Sequence, residues 1–311
     1  MPFNFSVLSY GRTLPAAALD EVRSAVSGTG ARLVEEQLEQ GPQFAVHTIG
    51  VQLDADRAGS AKGALSALRA VLAETAQRRA ATHGDLSEKV DTAVVPALLR
   101  SARRKLIVLD VDSTLIQQEV IELLAAHAGV AAEVAEVTEA AMRGELDFAQ
   151  SLHARVATLA GLPESVLAEV VGQVRLTEGA DRLVGEARAA GHVVAAVSGG
   201  FSRILAPLAA DLGLDHALAN DLEIVDGVLT GRVSGAVVDR AAKAAALRRW
   251  CAEDDISLDH TMAIGDGAND LDMMAIAGLS VAFNAKPAVR EAADAQINLP
   301  YLDIALPLAG I

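Results

Sequence analysis

The run Lys105-Leu106-Ile107-Val108-Leu109 is almost wholly apolar and ends on a carboxylate, Asp110, which only Val111 separates from a second, Asp112. A short continuous apolar run suits a strand covered on both faces, as in a parallel sheet flanked by helices. Such sheets bind ligands just beyond the carboxyl ends of their strands. The segment Asp110-Val111-Asp112-Ser113-Thr114 is therefore expected at the mouth of a crevice.

The same style recurs downstream. Strands are predicted over 105–110, 192–198, 261–265 and 279–283, with an amphipathic helix before the second and Ser198-Gly199-Gly200 closing it. Repeated βα alternation predicts an α/β core, a Rossmann-like doubly wound parallel sheet. Between Asp215 and Val238 two short strands flank Asp226-Gly227, a hairpin signal. From 119 to 175 the pattern is helical throughout, which predicts a helical cap inserted after the first core strand. The core is then 96–118 together with 176–311.

The first 95 residues read as strand 4–9, helix 15–27, strands 31–39 and 43–53, helix 60–80 and a weak strand 88–95. That βαββαβ order is the ferredoxin-like α+β arrangement. With a boundary near 96–102, residues 1–95 are expected to be removable from a soluble, active remainder.

Composition excludes several classes of function. Lys and Arg number 26 against 41 Asp and Glu, a net charge of −15, so there is no broad positive field for nucleic acid or an anionic membrane surface. Apolar runs stop well short of the ~18 residues of a membrane span. The N-terminal Met1-Pro2-Phe3-Asn4 shows no basic stretch leading into an apolar one, and the single Cys251 allows no internal disulfide; both suit a reducing cytoplasm. The seven His are scattered, so any metal is expected to be a hard cation held by oxygen.

A second acidic cluster, Asp266-Gly267-Ala268-Asn269-Asp270, follows the strand at 261–265. If that strand neighbours 105–110, then Asp110, Asp112, Asp266 and Asp270 converge. Like charges ~4 Å apart repel by about 4 kcal/mol at an effective dielectric of 20, so the cluster calls for a cation, and oxygen donors favour Mg²⁺. The Gly-rich segment is not a dinucleotide loop, because Asp270 stands where the last Gly of G-x-G-x-x-G belongs. Ser198-Gly199-Gly200 before a helix suits an anion, and Lys243 on a helix predicted over 239–250 could reach a phosphoryl group.

In order and spacing, Asp110-Val111-Asp112-Ser113-Thr114, Ser198-Gly199-Gly200, Lys243 and Gly265-Asp266-Gly267-Ala268-Asn269-Asp270 resemble the four motifs of the haloacid dehalogenase-like phosphatases. The cap segment 142–155, MRGELDFAQSLHAR, together with Glu119, is similar to that of the family's phosphoserine phosphatases. The resemblance spans about 104–300 and implies Mg²⁺-dependent hydrolysis of O-phospho-L-serine through an aspartyl-phosphate, the last step of L-serine biosynthesis. It implies Asp110 as nucleophile, Asp112 as general acid and base, and Lys243 as charge neutraliser. It places Mg²⁺ on Asp110, Asp266 and the backbone carbonyl of Asp112, with Asp270 supporting. Ser198, Gly199 and Lys243 are implied to bind the phosphoryl end, Asn269 to contact the substrate, Glu119 and Arg155 to hold the amino-acid end, and Met142 and Phe148 to close the pocket.

Residues 1–95 resemble an ACT-type module, though Tyr10-Gly11-Arg12-Thr13-Leu14-Pro15 lacks the usual Asp-x-Pro-Gly turn. Binding of an amino-acid effector, homodimerisation or contact with the cap is the implied role. Transfer of the phosphoryl group to another hydroxyl, such as that of homoserine, uses the same motifs. A signalling receiver lacks both an acid at the position of Asp112 and a helical cap, and an inactive amino-acid sensor does not need the acid pair and Lys243.

Overall fold

A computed structural model describes residues 2–54, 60–82, 89–142 and 145–311, with backbone alone at 80–82 and 141–142. The first part is β1 (Phe3–Gly11), α1 (Ala16–Gly28), β2 (Arg32–Gln40), β3 (Ala45–Leu53), α2 (Ala61–Thr82) and β4 (Asp91–Pro96). These form one antiparallel sheet of order β2-β3-β1-β4. This is the expected βαββαβ order.

The two faces of β1 explain where this sheet goes. Side chains alternate along a strand. Phe5 and Val7 pack with Val22 and Val26 of α1 and Leu68 and Leu72 of α2. Leu8 and Tyr10 point the other way, into a hydrophobic core shared with the second sheet.

After the short helix α3 (Ala97–Ser101), β5 (Leu106–Leu109) opens that second sheet. The expected cap follows as α4 (Val120–Ala128), α5 (Ala131–Met142), α6 (Phe148–Ala157) and α7 (Ser165–Val171), with no strand among its described residues. The chain returns through α8 (Ala180–Ala189), β6 (Val193–Phe201), α9 (Ser202–Leu212), β7 (His216–Val225), β8 (Val228–Ser234) and α10 (Arg240–Glu253). It ends with β9 (Thr261–Gly265), α11 (Leu271–Ile276), β10 (Leu279–Phe283), α12 (Pro287–Ala292), β11 (Ala295–Ile297) and α13 (Ala305–Ala309).

The sheet order is β11-β10-β9-β5-β6-β7-β8, parallel except for β8. All four predicted core strands are present. Sequence reading missed β11, three residues long and too short to show a periodicity, and it did not foresee that β7 would enter the parallel ladder beside β6. At the β7–β8 turn Asp226 and Gly227 both take positive φ, 51° and 75°, as a type I′ hairpin requires. Among the described residues no helix is long and apolar enough to cross a membrane.

The N-terminal sheet sits against the β11 edge. The Tyr10 hydroxyl donates to the Gln296 carbonyl at 2.6 Å, and Asp91 accepts from the Asn298 backbone N–H at 2.8 Å and from its side chain at 2.9 Å. Arg69 pairs with Asp294, and the Arg12 guanidinium lies 5.3 Å from the centre of the Tyr301 ring. Leu8, Val46 and Val95, which join the core shared by the two sheets, contribute ~1.5–3 kcal/mol each through burial of apolar surface. The sequence expectation that residues 1–95 can be removed cleanly therefore changes. A chain of residues 96–311 should melt on the order of 10 °C below the full chain and bind a dye for exposed apolar surface. Equal melting temperatures in a thermal scan would mean that the interface contributes nothing.

Candidate active site

β5 and β9 are hydrogen-bonded neighbours, so the two acidic segments that follow them share one end of the sheet. The Asp110 N–H continues the ladder by donating to the Ile264 carbonyl at 2.9 Å. Beyond it the chain turns sharply, and Ser113 takes φ 57°, ψ 7°. A left-handed serine costs about 1 kcal/mol or more. Its hydroxyl, donating to Glu119 at 2.8 Å, ties the turn to the start of the cap.

Asp110, Asp266 and Asp270 each offer a carboxylate oxygen, all within 4.8 Å of one another. Lys243, on α10, is fully buried beneath them. Its ammonium donates to Asp110 at 2.5 Å and to Asp270 at 2.7 Å. Two buried carboxylates hold this ammonium firmly charged, with its pKa raised despite burial. Burial and the neighbouring Asp270 push the Asp110 carboxyl upward, and contact with Lys243 opposes them. Asp266 is pushed up to about 7, first by burial and then by Asp270 and Glu119.

Burial, and then the surplus negative charge of three acids around one cation, account for the raised carboxyls. The donor set fits a hard divalent cation. Both Asp270 oxygens are already engaged, by Lys243 and by the Gly267 N–H at 3.1 Å, which suits a supporting role for that residue.

Asp112 stands apart. Its carboxylate accepts from the Val120 N–H at 2.7 Å and from the Ser198 hydroxyl at 3.0 Å. Burial, and then the charge on Glu119, raise its pKa to about 6. A carboxyl tuned toward neutrality can give and take a proton there. The strand–loop junction is built for close approach: a Cβ on Gly199 would lie 2.8 Å from Phe148, and one on Gly200 would lie 2.9 Å from both Asp112 and Ser198.

Above this floor opens a cavity of about 640 Å³. Glu119, Arg155, Phe148, Gly199, Asn269 and Asp266 are among the residues that line it. The Arg155 Nε donates to the Ser151 carbonyl at 3.3 Å; burial lowers its pKa, while Glu119, Asp112 and Glu122 oppose that. Met142 ends α5, but its side chain, with Arg143 and Gly144, lies outside the described residues.

Three residues escaped sequence reading. Glu122, in the first turn of α4, lines the cavity three residues after Glu119. Lys286, just after β10, also lines it, and its N–H donates to the Asp266 carbonyl at 3.2 Å. The signal for Lys286 was its place after a core strand. The third, Asn220, is buried in β7 and had no motif to announce it.

Residues 107–275 match the haloacid dehalogenase-like hydrolase family. A phosphoserine phosphatase of Streptomyces coelicolor is 62% identical over 222 residues, 71% of this chain but 54% of that protein, so the match spans about half of this relative's length. A phosphoserine phosphatase of Mycobacterium tuberculosis is 45% identical over 310 residues, covering 100% of this chain and 72% of that one. Among solved structures, a probable phosphoserine phosphatase from Vibrio cholerae in unliganded form superposes with a TM-score of 0.74 at 34% identity, covering 98% of this chain and 87% of that chain. The chain belongs to the haloacid dehalogenase-like hydrolases.

Proposed function

We propose that this chain hydrolyses O-phospho-L-serine to L-serine and phosphate, in the presence of Mg²⁺, through a phosphoryl group carried on Asp110. The observation that carries the reading is the separation of two buried carboxyls: Asp110 is held by Lys243, while Asp112 is held by Ser198 and Val120 with its pKa raised to about 6. This difference in surroundings supports Asp110 as the nucleophile and Asp112 as the acid. The relatives named phosphoserine phosphatase support the choice of substrate.

The chemistry follows from the residues. An Asp110 oxygen attacks phosphorus, forming an acyl-phosphate bond as the bond from phosphorus to the serine oxygen breaks. Asp112 passes its proton to that departing oxygen. A water then attacks the same phosphorus, giving its proton to Asp112 and expelling phosphate from Asp110. Lys243 keeps Asp110 aligned and offsets charge, and the Ser198 hydroxyl and nearby amides orient the phosphoryl oxygens. Asp110, Asp266 and the Asp112 carbonyl would hold Mg²⁺, with Asp270 behind them. When bound, that cation supplies positive charge to the phosphoryl group as negative charge shifts toward the leaving oxygen.

The cap wall sets selectivity. Glu119 suits the substrate ammonium, and the Arg155 fork suits its carboxylate. The test is a phosphate-release assay on phosphoserine, phosphothreonine and phosphoethanolamine, with Mg²⁺ and with a chelator. Phosphoserine should be turned over, only with the metal. Phosphoethanolamine, which lacks the carboxylate, should lose ~10²-fold in kcat/KM if an Arg-carboxylate pair worth ~2–3 kcal/mol is forfeited. Equal rates on both substrates would overturn the assignment of the cap, and added homoserine that gained phosphate would redirect the reading toward a transferase.

A further inference from the structure

The parallel pairing of β6 with β7 is interrupted where the Ser198-Gly199-Gly200 loop lies. Val197 pairs with Leu218 and the next pair is Phe201 with Asn220, so four steps along β6 face two along β7. Two extra residues bulge out of the ladder, which re-aims Ser198 and the glycines into the crevice. A bulge costs ladder hydrogen bonds, and a buried carbonyl left without a partner is expensive.

Asn220 supplies what the ladder has lost. It is 1% exposed, and both ends of its amide are used. The Asn220 Nδ2 donates to the Gly199 carbonyl at 2.8 Å, and its Oδ1 accepts from the Val238 N–H at 2.7 Å. Val238 immediately precedes Asp239, the residue that caps α10 by accepting from the Ala242 N–H at 2.8 Å. One side chain thus ties the bulge to the start of the helix that carries Lys243.

The chain of contacts continues into the site. The Gly199 carbonyl and the Gly200 N–H belong to one planar peptide, so holding the first orients the second. The Gly200 N–H donates to the Ser198 Oγ at 2.7 Å, and the Ser198 hydroxyl donates to Asp112 at 3.0 Å. With its oxygen occupied by that N–H, the Ser198 proton is directed onto Asp112. Every donor in the series points the same way, an arrangement in which hydrogen bonds reinforce one another.

We propose that Asn220 is a positioning residue for phosphoryl transfer: it sets the Gly199–Gly200 peptide plane, aims the Ser198 hydroxyl at Asp112, and ties both to the helix bearing Lys243. This rests on the reading of the site as a phosphoserine phosphatase. It concerns the phosphoryl half of the site and leaves the Glu119 and Arg155 wall untouched.

That division supplies the test. Asn220→Asp keeps the acceptor for Val238 but sets an oxygen against the Gly199 carbonyl; Asn220→Ser is too short to reach that carbonyl. Each full-length variant, with Mg²⁺, is compared with wild type for kcat on phosphoserine, for competition by inorganic phosphate, for competition by L-serine, and for thermal melting. The expected result is a folded variant whose kcat falls ~10 to 100-fold, as for a small misplacement of reacting groups. The inhibition constant for phosphate should rise about fivefold or more, as for one lost hydrogen bond, while that for L-serine stays put. Unchanged kcat and phosphate inhibition, a parallel rise of both inhibition constants, or failure of both variants to fold would each overturn the proposal, the last by assigning Asn220 to the fold alone. A wild-type protein inert toward phosphoserine would instead remove the reading beneath it.

Discussion

Asp110→Asn should abolish phosphate release from phosphoserine while the protein stays folded. The substituted amide has the shape of the carboxylate, and its oxygen can still accept from Lys243, which in the native protein donates to Asp110 at 2.5 Å. What it lacks is a nucleophile, because an amide oxygen does not displace an alkoxide from phosphorus. Loss of the covalent route leaves only positioning and charge, so the rate should drop ~10⁴-fold or more. The melting temperature should change little, because relief of the repulsion between Asp110 and Asp270 is set against the loss of one ionic partner of the buried Lys243. Wild-type enzyme quenched in acid during turnover should carry one labelled phosphate on the peptide containing Asp110, and the variant none. Full turnover by the variant would falsify the nucleophile assignment.

Asp112→Asn should cost ~10²–10⁴-fold on phosphoserine, the usual worth of a positioned general acid. Its signature separates it from Asp110→Asn. With p-nitrophenyl phosphate the leaving group needs no proton, so formation of the phosphorylated enzyme should be nearly spared. Hydrolysis of that species still needs a base, so it should accumulate and yield a burst of one p-nitrophenol per active site. In wild type the acid role requires the protonated form. With its pKa at about 6, the protonated fraction of Asp112 falls as pH rises through that value. The rate of phosphoenzyme formation from phosphoserine should therefore decline above it. The variant, having no titrating group there, should lack this limb. A variant that retains the limb, or shows no burst, would move the acid role away from Asp112.

Much of this site was legible in the chain because each motif is local. An apolar strand running into Asp110, another running into Asp266, and an Asp-Gly pair between β-formers each carry their meaning within a few residues. Even the convergence of the acids followed once the strands were taken as neighbours. Lys243 was harder. In sequence it looks like any lysine on a helix, and only the fold shows it fully buried under two carboxylates. Asn220 was invisible, since its role depends on a break in pairing between two strands and on a backbone N–H 18 residues away.

The N-terminal sheet shows the same limit. Its βαββαβ order is written in alternation and turns, yet nothing local in Leu8 or Tyr10 says which sheet they will face. Tyr10 meets Gln296, 286 residues along the chain. By itself, the sequence determined most of the elements, the short β11 excepted, with their order and the chemical groups at the ends of the strands, because propensity and periodicity act over a few residues. Tertiary structure alone decided the burial of Lys243, the clamp at Asn220 and the joining of the two sheets through one core. Those depend on desolvation and on hydrogen bonds between segments far apart in sequence, which exist only once the chain has closed.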